Sequence, residues 1–213
     1  MKKNAVLFIL FILPIVAYLF FASGINSFAK LPVMTAAVND FGAWKSQRNE
    51  QLSLDNKITI LGFGGSELLK NRGNLFNLNQ KVYQRYHKFK DLQFVIICPF
   101  GTEKDADYIV TQFATFTDTA QWHFIFTTPE EIQKFHSNLK LKEQLDAFSG
   151  TPKVYIVDKE RNLRGRKDES DETEGYSTFH LSELSNKMLD DFKVILYEYR
   201  AALKKNRNAE RKI

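Results

Sequence analysis

The sequence predicts an α/β fold built on a mixed central sheet, and three observations carry that prediction. Lys57–Phe63 and Leu92–Cys98 are apolar on both faces, as parallel strands covered by helices on each side are. Stretches with apolar residues at helical spacing separate these runs. The runs Lys153–Asp158 and Leu163–Lys167 are divided only by a turn at Arg161 and Asn162, too short for a crossover, so that pair must be antiparallel.

The elements follow in order. Val33 to Leu54 has mixed polarity and predicts a small β-hairpin leading into the domain. After the strand Lys57–Phe63, the residues Leu68, Leu69, Leu75, Leu78, Val82, Tyr86 and Phe89 define a long helix, weakened or broken at Gly73. Pro99 and Gly101 close the second strand. Glu103 to Thr117 carries Tyr108, Ile109, Phe113 and Phe116 on one stripe, with acids early in the helix where the dipole favours them. Trp122–Phe126 is a third strand. Thr128-Pro129-Glu130-Glu131 is a strong helix start, with an N-cap hydroxyl, Pro at the first position and Glu at the third. That helix runs through Ile132, Phe135 and Leu139. After the antiparallel pair comes an acidic loop, Asp168 to Glu174, and a closing helix marked by Leu181, Leu184, Met188, Phe192, Ile195 and Tyr199. The order is β-α-β-α-β-α-β-β-α.

The first residues stand apart from this pattern. Lys2 and Lys3 precede a nearly unbroken apolar run from Ala5 to Ala22. At 1.5 Å per residue it would span roughly 27 Å, enough for a thin bilayer core. The expectation is a single-pass anchor over residues 1–24, with the N-terminus cytoplasmic and the domain on the extracytoplasmic, periplasmic side. The alternative is a signal peptide cleaved near Ala29, at the small-x-small sequence Ser27-Phe28-Ala29. Residues 25–54 then form a tether and hairpin, 55–206 the domain, and 207–213 a basic tail.

The 213 residues contain one cysteine, so no disulfide can form within the chain. Stability must come from the core, for which 19 Phe, 8 Tyr and 2 Trp supply the apolar area. The net charge of +5 gathers at Arg200, Lys204, Lys205, Arg207, Arg211 and Lys212. No aromatic residues are interleaved there, so nucleic acid is not the expected partner.

The turn Phe63-Gly64-Gly65-Ser66-Glu67-Leu68-Leu69-Lys70 joins the first core strand to its helix. Further on, Ile97-Cys98-Pro99 is followed by Glu103-Lys104-Asp105, Trp122 opens the third strand, Thr128 precedes a helix, and Val154–Asp158 leads to Leu163-Arg164-Gly165. Together these residues resemble the Sco/SenC branch of the thioredoxin-like superfamily over roughly Val33 to Lys205. The resemblance implies a thioredoxin-like fold and a connection with cytochrome oxidase assembly. It also implies a Cys-x-x-x-Cys turn at Ser66 and Lys70, and a copper-ligating histidine near Ser149-Gly150-Thr151-Pro152. None of the three ligands is present, so the chain looks like a degenerate member without cofactor or bound metal. Thr151-Pro152 matches the proline that faces the redox turn, which in thioredoxins is cis. The expected site is a vestigial groove of Gly64, Gly65, Ser66, Lys70, Thr151 and Pro152, used to hold a protein partner.

Other readings of the same residues define alternatives. Cys98 could serve a thiol-dependent peroxidase or reductase if it were exposed with a lowered pKa. The apolar strand around it instead predicts an inert, buried thiol. Ser66 has no histidine base at a fixed spacing and reads as the cap of the following helix. Gly64-Gly65 lacks the Lys-Ser/Thr ending of a phosphate loop. His87, His123, His136 and His180 lie on different elements without paired spacing. A structural subunit of an envelope complex is the remaining alternative.

Overall fold

A computed structural model describes residues 10, 12–16, 30–167 and 172–210, with side chains as far as Ala202. Ten strands are placed: β1 (Val33–Thr35), β2 (Lys45–Ser46), β3 (Ile58–Gly64), β4 (Leu92–Pro99), β5 (Trp122–Thr127), β6 (Gly150–Val157), β7 (Leu163–Arg164), β8 (Arg166–Lys167), β9 (Glu172–Thr173) and β10 (Tyr176–Ser177). The helices are α1 (Arg72–Leu78), α2 (Gln84–Tyr86), α3 (Glu103–Ala114), α4 (Pro129–Asn138) and α5 (Leu189–Glu210), with π-wound segments at Asn79–Tyr83 and Glu183–Met188. The main sheet has the order β1-β7-β6-β3-β4-β5-β2, and β10 pairs with β6. β3, β4 and β5 are parallel, and β6 is antiparallel to β3. This is the mixed, helix-covered sheet of a thioredoxin-like fold.

The two-sided apolar strands supply both cores. Ile58 and Ile60 of β3, with Leu92, Phe94, Ile96 and Cys98 of β4, face one layer. Leu61, Phe63, Val95 and Ile97 face the other. Alternate residues of a strand point to opposite faces, so a run without polar positions fills both layers. In the first layer Trp122, Tyr83, Phe94 and Phe113 are fully buried, with Trp122 and Phe113 ring centroids 5.0 Å apart. Burying each such side chain contributes about 1.5–3 kcal/mol before entropy is counted. The Trp122 indole N–H donates to Asn79 Oδ1 at 3.0 Å. Asn79 stands in the π-wound turn, where the altered winding accompanies a polar side chain at 0% exposure.

Several local expectations are corrected. Residues 33–54 do not form a hairpin: β1 pairs with β7 and β2 with β5, at opposite edges of the sheet. The chain between them crosses the α4 face, where Phe41 stacks on Phe135 at 5.6 Å and Trp44 meets it edge-on at 5.4 Å. Covering two sheet edges and an apolar face satisfies more groups than a two-stranded hairpin of mixed polarity would. The first helix begins at Arg72 rather than near Leu68, because residues 66–71 form turns after a left-handed Gly65. Gly73 therefore lies near the helix start and not in its middle. The strand expected over Leu163–Lys167 is split into β7 and β8. Thr128 caps α4 as read from the sequence, accepting from Glu131 N–H at 3.3 Å.

Among the described residues no helix is long and apolar enough to cross a membrane. The expected anchor, residues 1–24, lies outside the described residues except for Leu10 and Ile12–Val16. So do the cleavage sequence at Ser27-Phe28-Ala29, Asp168–Asp171 of the acidic loop, and residues 211–213 of the tail.

A buried ionic cluster ties Leu31 and α5 to the sheet. Arg164 donates to Asp158 at 2.9 Å, to Glu198 of α5 at 2.9 Å, and to the Leu31 carbonyl at 2.9 and 2.5 Å. Leu31 N–H in turn donates to Glu198 at 3.0 Å. Asp158 is wholly buried, and removing its cation would leave an uncompensated charge. Arg164→Ala is expected to lower the unfolding free energy by about 3–5 kcal/mol, read from chemical denaturation. A loss below ~1 kcal/mol, the value of an exposed ion pair, would show that the cluster does not hold the edge.

Candidate functional site

The site is built where β3 ends against the start of β6. Gly64 pairs with Gly150, and the register shifts between Gly62 and Gly64. Gly65 follows with φ of 66°, in the left-handed region. A Cβ on Gly65 would lie 2.9 Å from the Phe148 carbonyl oxygen and 3.0 Å from Gly150 Cα. Only glycine allows both this φ and this approach. Ser66 N–H donates to the Phe148 carbonyl at 2.9 Å and fastens the two turns together.

The opposing loop is held by Asp146. Its Oδ1 accepts from Phe148 N–H at 2.9 Å and Gly150 N–H at 2.8 Å, while its own N–H donates to the Gly150 carbonyl at 2.9 Å. Sequence reasoning missed Asp146. The signal was an Asp ahead of a Ser-Gly pair, the composition of a side-chain-capped turn.

A pocket of about 370 Å³ opens beside these turns. Its inner wall consists of Leu68, Leu75, Ile96 and Val154 with the Gly62 and Gly64 backbone. Asn71, Asn74, Thr151, Thr178 and His180 stand among its polar lining. Of the residues expected at the site, Gly64, Thr151 and Pro152 line the pocket. Gly65 is buried in the contact beneath the turn. Ser66 and Lys70 are exposed and do not line it. Lys70 is paired with Glu67 at 2.8 Å. Ser66 does not cap α1, whose N-cap position is Asn71.

The peptide bond before Pro152 is trans, as no cis bond occurs among the described residues. The expectation of a cis proline is thereby corrected. The Pro152 carbonyl accepts from Thr178 N–H at 2.8 Å and from Thr178 Oγ1 at 2.6 Å, so this stretch is shaped by the chain's own next segment. The Ser177–His180 segment was also missed, since the acidic residues before it read as an open loop. Phe179 is 68% exposed, with its ring 5.2 Å from that of His180.

Cys98 lies under the pocket floor. A Cβ on Gly64 would come within 2.8 Å of its Sγ, and the residue is 0% exposed. Burial pushes the thiol up to about 12, against smaller lowering by hydrogen bonds with Thr102 and Gly64. At neutral pH such a thiol holds its proton and is not a nucleophile. The histidines are dispersed: His123 faces Glu50 at 2.7 Å, His87 meets the Gln84 carbonyl at 3.0 Å, and His136 is buried edge-on to Phe63 at 5.2 Å. Burial lowers the pKa of His136. No group of three or more His, Cys, Asp or Glu residues among those described could hold a metal ion.

In sequence the chain matches no family model and no curated protein. In structure it is similar to BsSco, a member of the Sco family of cytochrome c oxidase assembly proteins, with a TM-score of 0.52 and 14% identity, covering 79% of this chain and 98% of that one. It is also similar to a putative electron transfer protein from Aquifex aeolicus VF5, with a TM-score of 0.53 and 13% identity over 77% of this chain and 92% of that one. Copper-bound ScoI of Arabidopsis thaliana matches at a TM-score of 0.47 and 16% identity, over 74% of this chain and 99% of that chain. The two likenesses with a TM-score above 0.5 show the fold, which is thioredoxin-like, and one of them is to a Sco protein. Copper suits thiolate and imidazole donors. Ser66 and Lys70 stand outside the pocket at the positions where the resemblance implies cysteines, and the one imidazole in its lining is His180, so the donor set does not fit the metal.

Two outcomes test this geometry. Gly65→Ala is expected to destabilise the protein by about 1–2 kcal/mol or more, from left-handed strain plus the contact with Phe148, measured by thermal or chemical unfolding. An unchanged midpoint would refute the close approach. Cys98 is expected to resist iodoacetamide in the native protein at neutral pH and to react once the chain is unfolded in urea. Rapid native labelling would return a reactive thiol to consideration.

Proposed function

We propose that the chain is a protein-binding module of Sco type, without dithiol or copper chemistry, acting in the assembly of a respiratory oxidase. The observation that carries this reading is the pocket of about 370 Å³ at the turn where thioredoxin-like proteins place their chemistry. It is shaped by backbone contacts and by mostly uncharged side chains, with Asp146 and Lys153 as its charged lining residues. The likeness of fold to BsSco supports the assembly context, by inheritance of fold alone. The burial of Cys98 weighs against the peroxidase or reductase alternative.

In the same reading residues 1–24 anchor the chain in the cell membrane, and the domain works on the extracytoplasmic side. The support is the apolar run Ala5–Ala22 behind Lys2 and Lys3. The partner is then a membrane or periplasmic protein. The reading is tested by capture from native membranes solubilised in mild detergent, comparing the wild type with Phe179→Asp, which places a charge at the pocket mouth. The expected result is co-purification of oxidase subunits or their assembly factors with the wild type and a several-fold lower yield with the variant. Capture of no such protein by the wild type would overturn the proposal.

A further inference from the structure

The pocket beside Gly64 carries enough chemistry to specify what would enter it. Its inner wall is apolar, and Gly62 and Gly64 leave the sheet backbone as part of that wall. Near its mouth Asn71 and Asn74 stand three residues apart at the start of α1. Neither carboxamide has a hydrogen-bond partner among the described residues. Two charged residues also line the pocket: Lys153, paired with Glu143 at 2.5 Å, and Asp146, whose Oδ1 accepts from two backbone N–H groups. With an apolar inner wall and one lining residue of each sign, the pocket favours a ligand without net charge.

The edge of β6 beside the pocket is already taken. Tyr176 and Ser177 pair with Val154 and Lys153, and Thr178 fills the Pro152 carbonyl. A partner strand has no free main-chain edge to join there. Recognition must run through side chains. A carboxamide carries both donor and acceptor, the complement of a peptide group's C=O and N–H. The exposed rings of Phe148 and Phe179, at 48% and 68%, add apolar surface around the site of the kind that protein interfaces bury.

We infer that the pocket receives one large uncharged apolar side chain, of the Leu, Met or Phe class, from an extended partner segment whose flanking peptide groups pair with the Asn71 and Asn74 carboxamides. This deepens the binding-module reading and rests on it. The volume, near the low end of the roughly 300–1,000 Å³ of ligand pockets, suits a single side chain with adjoining main chain.

The test uses the full chain in detergent micelles with labelled methyl groups, titrated with acetyl-Gly-Gly-X-Gly-Gly-amide peptides in which X is Leu, Met, Phe, Asp or Lys. The methyl signals of Leu68, Leu75, Ile96 and Val154 are expected to move with Leu, Met and Phe peptides and to stay in place with Asp and Lys. Replacing both Asn71 and Asn74 by Ala is expected to weaken binding about tenfold, the value of two modest hydrogen bonds. Asn74→Trp, with the rest of its spectrum unchanged, is expected to abolish the shifts by filling the pocket.

Equal shifts with the charged peptides, or an unaltered titration of the Trp variant, would overturn the inference. Methyl shifts that ignore the double Ala variant would overturn its main-chain part. The two levels separate cleanly. A positive titration without capture of a membrane partner refutes the assembly reading and leaves the pocket chemistry standing. Undiminished capture of that partner by Asn74→Trp refutes the pocket assignment and leaves the module reading standing.

Discussion

Gly65 and Gly150 bring two backbones within van der Waals contact, and the geometry of the site depends on that approach. A Cβ at Gly65 would sit 2.9 Å from the Phe148 carbonyl and 3.0 Å from Gly150 Cα, so the turn after β3 and the loop before β6 admit no side chain between them. The hydrogen bond from Ser66 N–H and the double acceptance by Asp146 Oδ1 lock both sides of the contact. The β3 turn then leads residues 66–71 outward before α1 begins at Arg72. That delay sets Asn71 and Asn74 at the mouth of a pocket instead of burying them in a continuous helix.

The same contact accounts for the chemistry of the site. In the family that the sequence resembles, this turn carries thiolates. Here the matching positions, Ser66 and Lys70, point away from the pocket lining, and the one thiol lies under Gly64 with its pKa raised by burial. The position of Cys98 at the end of β4 makes it a packing residue, since alternate β4 side chains fill the layer beneath α1. What remains at the site is shape, an apolar wall, and a polar lining in which Asp146 and Lys153 are the charged members. The likeness to BsSco at 14% identity concerns the path of the backbone, and the pocket lining belongs to this chain.

The parts of the fold that were legible in the sequence were those governed by periodicity. Lys57–Phe63 and Leu92–Cys98 became β3 and β4 because two-sided apolar runs have few other solutions, and Thr128-Pro129 announced α4 through local capping. Long-range choices were not legible. Val33–Thr35 and Lys45–Ser46 pair with opposite edges of the sheet, which no local pattern encodes. Gly64, Thr151 and Pro152, which the resemblance assigned to a groove, do line the pocket. The places of Asn71, Asn74 and His180 in the same lining were not legible, since they depend on the delayed start of α1 and on where the Ser177–His180 segment returns to β6.

The most direct measurement of the central claim, a site that works by shape without soft-metal chemistry, is a Cu(I) titration of the full chain in detergent against a competing chelator of known affinity. The chelator is predicted to retain all the copper, with the methyl signals lining the pocket unmoved. Retention of one Cu(I) per chain, lost on replacing His180 by Ala, would contradict the account.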